Sequence, residues 1–222
     1  AREGKLNEFV QRKHRELVDG GRTRIAEYLM AVYAQRNQPA TDDFMLIADT
    51  ADVNPAMIKR WRSALEKAAR VPDPIWIAWH RLAAVDDGKL AEASSEIIKQ
   101  LLAAAPETIH PRVRQWLESH PAIADMKPLA TMYGEMFAAI DKQWKESVAA
   151  ATISGSAMPA VLPDSLENRD DERLRRWLYG PSAPPDVPPV FGWGFLDLLP
   201  DRASQGEYQK LLKEVEQWLM TG

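Results

Sequence analysis

Four histidines and three adjacent carboxylate pairs are the side chains of this sequence with reactivity to offer. Histidine can act as general acid, general base or metal ligand. Two carboxylates in unlike surroundings can divide acid and base labour. The spacings do not assemble either role. His14, His80, His110 and His120 include no His-Glu-x-x-His motif and no His-x-x-x-His pair, the arrangements that bring two imidazoles to one zinc ion from a single helix. His80 follows Trp79 in an apolar stretch, where a hydrogen-bonded core histidine is expected, and His110 and His120 each precede a proline and fit helix boundaries. Asp42-Asp43, Asp86-Asp87 and Asp170-Asp171 each stand at an expected helix start. Negative charge there favours the positive end of the helix dipole, so capping is predicted for all three pairs.

Nucleophilic and phosphate chemistry find no footing either. The stretch ISGSAM, 153–158, is not a Gly-x-Ser-x-Gly elbow and follows no predicted strand. No glycine-rich loop is present that could cradle phosphates. The chain has no cysteine, which excludes disulfides, thiolate metal sites, covalent c-type haem attachment and cysteine catalysis within these residues. The expectation is therefore no catalytic, cofactor-binding or metal site in this chain.

Two features point to binding instead. DFMLIADTADVNPAMIKRWRSALEK, residues 43–67, has the outline of a helix-turn-helix over 44–66, with Ile47, Ala48, Ala51, Val53, Ile58 and Trp61 in the apolar slots. Asp52 stands where the turn favours glycine, and Pro55 falls near the start of the would-be recognition helix. Lys59, Arg60 and Arg62 could meet phosphates, but Asp42, Asp43, Asp49, Asp52 and Glu66 crowd the same window and would be repelled by them. Two packed helices account for the same residues. The second feature is eight tryptophans, which could stack on sugars or bases. Seven of them, Trp61, Trp76, Trp79, Trp116, Trp144, Trp177 and Trp218, fall in expected helices, mostly on apolar faces. Trp193 is the exception: with Phe191 and Phe195 it forms the candidate interaction surface.

The elements that must position these residues are helical throughout. Apolar residues at helical spacing run over residues 6–36, opposite a densely charged face. Gly20-Gly21 interrupts them and predicts a kink or two successive helices. The start of this unit has a coiled-coil flavour that could continue upstream. Residues 41–150 form the expected helical core. Thr41, Asp42 and Asp43 offer caps for a short helix over 44–51, and Asn54-Pro55 opens the next one. Asp73 is expected to cap PIWIAWHRLAAV, 74–85. Helices over KLAEASSEIIKQLLAAA and after His110-Pro111 follow, then a long one bearing Leu129, Met132, Tyr133, Met136, Phe137, Ile140 and Trp144 on its inner face.

Residues 151–201 hold eight of the 16 prolines, and only 170–180 read as helix there. PSAPPDVPPVFGWG must be extended or turned, because proline has no amide to donate, and its aromatic residues predict that it packs back onto the helices. A last helix spans 202–220. No period-2 strand and no internal repeat is visible. The fold class is all-α: an irregular bundle of eight or nine helices in one domain over residues 1–222, with a long charged first helix over 1–38.

Bulk properties agree. With 222 residues, 45% apolar and 27% charged, the chain is long enough to bury roughly 70% of its unfolded surface. No apolar run approaches the ~20 residues of a membrane helix, so no membrane insertion is expected. A net charge of −4 counts against nucleic acid as a partner. The chain begins Ala-Arg-Glu and reads as a piece cut from a longer protein, without a signal segment of its own.

Three stretches, EFVQRKHRELVDGGRTRIAEYLMAV, DDFMLIADTADVNPAMIKRWRSALEKA, and LYGPSAPPDVP followed by LLPDRASQGEYQKLLKEVEQWL, occur in an order that resembles the helical segment of large planctomycete cytochrome-c-type proteins. In that family the segment lies between two domains of unknown function, with a haem-binding region upstream. The resemblance covers nearly the whole chain and is weakest around 86–125 and 145–170. It implies an exported parent, at the periplasm or cell surface, with haem c carried elsewhere. It transfers no functional residue. The reading that follows is a non-catalytic helical spacer or interaction module whose partners are neighbouring domains of the same chain. The alternatives are a DNA-binding unit at 44–66 and a carbohydrate- or peptide-binding surface at Phe191, Trp193 and Phe195.

Overall fold

Gly20-Gly21 does not break the first helix. In the computed structural model, which describes residues 2–38, 52–86, 88–153, 162–188 and 198–221, helix α1 (Arg2–Thr23) runs straight through both glycines. The break falls at Arg24, and α2 (Ile25–Ala34) follows at once. Gly21 is there for a close approach: a Cβ on it would lie 2.7 Å from Cε of Met57 and 3.3 Å from Cβ of Pro185.

Helix α3 (Pro55–Arg70) starts as its sequence dictates. The Asn54 side chain accepts from the amides of Ala56 (2.9 Å) and Met57 (3.2 Å), and Pro55 takes the first helical position. Met57, Ile58, Trp61, Leu65 and Ala68 form its buried face. Asp73 then accepts from the Ile75 amide (2.9 Å), but this bond fixes a turn. Helix α4 is only Ile77–Ala83, so Trp76 precedes it rather than lying within it. The chain continues through α5 (Leu90–Ala103), a single 3-10 turn (Pro106–Thr108), α6 (Pro111–Ser119), α7 (Lys127–Ile153), α8 (Arg169–Tyr179) and α9 (Arg202–Thr221). The described residues are all-α, with nine α-helices and no strand. None of these helices is long and apolar enough to cross a membrane. The expected helix over 44–51 and its caps Thr41, Asp42 and Asp43 lie outside the described residues.

Helix α7 is the centre of the bundle, with α2, α8 and α1 packed along it. Its inner face follows the sequence pattern: Leu129, Tyr133, Phe137 and Ile140 are fully buried, and Met132 and Met136 nearly so. Trp76 stacks on Tyr133 (centroids 4.7 Å apart) and on Phe137 (5.7 Å), and Trp61 meets Phe137 edge-on (6.4 Å). Such contacts add about 0.5–1.5 kcal/mol per pair beyond area burial. The Tyr133 hydroxyl donates to the Ile75 carbonyl (2.5 Å) and the Trp61 indole N–H to the Gly21 carbonyl (3.3 Å), whereas the buried Trp76 N–H has no partner among the described residues. Gly134 lets α2 come close, since a Cβ there would meet Cβ of Ala26 at 3.1 Å.

The two end helices pair with each other. Phe9 touches Tyr208 (6.5 Å between rings), Arg12 bonds Glu207 (3.2 Å), and Lys13 sits within electrostatic range of Asp201. Residue numbers rise along α1 as they fall along α9, so the pair is antiparallel. Trp218 lies within α9 as expected but is 48% exposed, so it is not one of the tryptophans spent on the core.

Candidate functional site

Among the described residues, the structure employs His14, His110, His120, Asp86 and Asp171 as fasteners. His110 is the N-cap of α6: its Nδ1 accepts from the Arg112 amide (3.3 Å), while Nε2 faces the Asp170 carbonyl (3.2 Å) at the start of α8. Those two contacts assign the proton to Nε2. Burial, chiefly, holds the His110 imidazole below its ordinary value, opposed by the Asp170 carbonyl. His120 closes α6 as its C-cap and stacks on Trp116 (4.1 Å between rings). His14 binds the Val187 carbonyl (2.9 Å). His80 departs from expectation. Burial lowers its pKa, and its Nε2 has no hydrogen-bond partner among the described residues. The reason is its position in α4, where its neighbours in the adjoining hollow are mainly alanine, proline and isoleucine.

Capping by the paired carboxylates needs correcting in its details. Asp42-Asp43 and Asp87 lie outside the described residues. Asp86 does not cap α5; it pairs with the Lys89 ammonium (3.0 Å) on the surface. At α8 the cap is Asn168, which accepts from the amides of Asp170 (2.9 Å) and Asp171 (3.0 Å). The two aspartates occupy the first turn, where their charge suits the dipole. Asp171 also reaches Arg112 of α6 (2.6 Å). Glu172 receives both Arg175 (2.6 and 2.8 Å) and Arg176 (2.9 Å), and accepts from the Leu166 amide (2.9 Å). Arg175 chiefly, with the Leu166 amide and Arg176 assisting against the burial, holds the Glu172 carboxyl down at about 2. Among the described residues no three His, Asp or Glu side chains converge as metal ligands. Phe191, Trp193 and Phe195 lie outside the described residues.

The helix-turn-helix outline loses its cations to the protein itself. The Arg60 guanidinium donates to the carbonyls of Pro184 (2.6 Å) and Asp186 (2.5 Å), with Ala183 at 3.5 Å. Arg62 bonds Glu66 (3.1 Å) and the Gln38 carbonyl (3.3 Å). Of the three, Lys59 alone is exposed and without such a bond among the described residues. The Arg60 clamp explains why the proline segment lies back on the bundle. Ala183, Pro184 and Pro185 are buried against α3 and α1, so the described start of this stretch packs back on the helices; its aromatic residues lie outside the described residues.

Where the clamped turn meets α3 and α8, a cleft of about 590 Å³ opens. Ser63, Ala64 and Ala68 give it a wall of small side chains, and Trp177, Pro181 and Ser182 form the facing side. Trp177 is locked: its Nε1–H donates to Asp73 (3.2 Å), and its ring lies parallel to Trp61 (6.4 Å, 12°) and edge-on to Trp76 (5.1 Å). Ser182 adopts φ 69, the left-handed region that a non-glycine residue rarely enters, and its amide is held by Asp186 (3.2 Å). The sequence does not disclose this cleft: it offers Arg60 only as a possible phosphate contact, argued against by the neighbouring acids, and Trp177 only as a helix residue for the core. The polar groups lining the cleft are Arg60, Ser63, Lys67, Asp73, Arg176, Ser182 and Asp186. Compared with family models, curated proteins and solved structures, the chain matches none of them.

Proposed function

We propose that this chain is a non-catalytic helical module that connects or positions neighbouring domains of a larger exported protein, of the planctomycete cytochrome-c type, with haem c bound elsewhere in that protein. The observation that carries the reading is the antiparallel pairing of α1 and α9, made by Phe9 with Tyr208 and Arg12 with Glu207. The first turn of α1 and the last turn of α9 therefore lie at the same end of the pair. At that end Trp218, Leu219 and Met220 are 48%, 65% and 87% exposed. Contiguous apolar surface of this kind marks an interface more often than plain solvent-facing helix, and a neighbouring domain of the same chain is the partner the reading places there.

The structural employment of His110, Asp171 and Glu172 supports the non-catalytic part, because each is committed to a cap or an ion pair. The order of the three resembling stretches supports the periplasmic or cell-surface location. The engagement of Arg60 and Arg62 by the protein supports excluding nucleic acid as partner. Limited proteolysis of the longer chain is the test. The expected result is protection of the α9 tip and the α1 start by their neighbours. Immediate release of a segment that behaves identically alone and in the longer chain would remove the positioning role.

A further inference from the structure

The cleft between α3, α8 and the turn at 181–186 has walls fixed from behind by hydrogen bonds. Arg60 fixes the turn through three backbone carbonyls. Asp73 fixes Trp177 through its indole N–H while its other oxygen holds the Ile75 amide. Ser182 is kept at its positive φ by Asp186. Walls locked by their own hydrogen bonds, with one strained residue among them, are what a preorganised binding site requires. The volume of about 590 Å³ falls within the roughly 300–1,000 Å³ typical of small-molecule sites.

Charge decides the ligand class. Three cations (Arg60, Lys67 and Arg176) and two carboxylates (Asp73 and Asp186) line the cleft. Arg60, Asp73 and Asp186 are spent on the bonds just described. Arg176 gives only its Nε to Glu172 (2.9 Å) and keeps its terminal nitrogens unbonded among the described residues, and Lys67 has no ion pair there. Two cationic side chains from different helices therefore keep free donors, Lys67 on its ammonium and Arg176 on its terminal nitrogens, with the Arg176 Nε paired to Glu172. Beside them stand Trp177, Pro181 and Pro184.

We propose that this cleft binds a small organic anion, with its carboxylate on Lys67 and Arg176 and a flat apolar body against Trp177. This site is independent of any positioning role for the chain. The test titrates the ¹⁵N-labelled protein with 2-naphthylacetate and, separately, with the neutral 2-naphthylacetamide, following the Trp177 indole N–H assigned through Trp177→Phe. A saturable shift with the carboxylate, at least tenfold weaker with the amide and weakened several-fold by Lys67→Gln and by Arg176→Gln, is expected. Ala64→Leu, which narrows the cleft without touching a charge, should weaken it as well. Absence of a saturable shift, equal binding of the amide, or indifference to Lys67→Gln overturns the proposal. Lys67 is exposed and has no ion pair among the described residues, so Lys67→Gln is expected to leave the fold intact and decides the matter even where Arg176→Gln does not.

Discussion

Met57 occupies the place that a side chain on Gly21 would need: its Sδ and Cε lie 2.9 and 2.7 Å from that Cβ position, with Pro185 behind at 3.3 Å. Met57 is fully buried, so its thioether has little room to swing aside. Gly21→Ala should therefore destabilise the protein by about 1–3 kcal/mol through overpacking. Gly20, one residue earlier in the same helix, has only the Tyr28 hydroxyl near, at 4.0 Å. Gly20→Ala should stabilise by about 0.4–1 kcal/mol, by restricting the unfolded chain. Urea denaturation of the two variants measures the contrast. Equal effects from neighbouring glycines would contradict the packing described for α1 and α3.

Tyr133 is wholly buried, and its hydroxyl donates to the Ile75 carbonyl at 2.5 Å. Burial raises its pKa far above the ordinary range, so the phenol stays protonated and remains a donor at every pH the fold survives. Tyr133→Phe keeps the stacking on Trp76 but leaves that carbonyl without its donor. A loss of about 1–3 kcal/mol is expected, the cost of an unsatisfied buried acceptor. A variant as stable as the parent by thermal unfolding would mean the bond contributes nothing.

Glu172 ties α8 to the loop before it through Arg175, Arg176 and the Leu166 amide. Its carboxyl is held at about 2, below the ordinary 4.5. A depressed folded value means that the stabilisation is complete above about 4.5 and fades as pH falls through about 2. Glu172→Gln abolishes the charge and turns an NH₂ group toward donors, so a loss of about 3 kcal/mol is expected at neutral pH. The gap between variant and parent should narrow in acid. A gap that widened as pH fell would have the wrong sign for this ion pair.

How far these features could be read in advance depends on their range. The Asn54-Pro55 start of α3 and the inner face of α7 are local patterns, set by neighbours within a few residues, and both appear as the spacing predicts. Gly20-Gly21 misled because a glycine pair signals a break equally well as a close contact, and only Met57, 36 positions from Gly21, distinguishes the two. The cleft was illegible for a similar reason. Arg60 binds backbone carbonyls more than a hundred residues away, and a carbonyl has no residue-type signature. Trp218 shows the converse: its place in a helix was legible, but its 48% exposure was not.

His110 makes the junction of α6 and α8 sensitive to mild acid. Its Nδ1 must stay unprotonated to accept the Arg112 amide, while Nε2–H serves the Asp170 carbonyl. Burial chiefly depresses its pKa below 6.5, and the Arg112 charge adds to this, whereas the Asp170 carbonyl and the charges of Asp170 and Asp171 oppose it. His80 is lowered in the same direction by burial. Below pH 6.5 the unfolded chain then binds more protons than the folded one, so stability is complete above about 6.5 and declines as pH falls toward the folded values. His110→Asn retains an N-cap acceptor but cannot titrate. Between pH 7.5 and 5, the urea midpoint should fall less for His110→Asn than for the parent, with His80 supplying the remainder. An identical fall in both proteins would show that the cap at α6 is not where protons act.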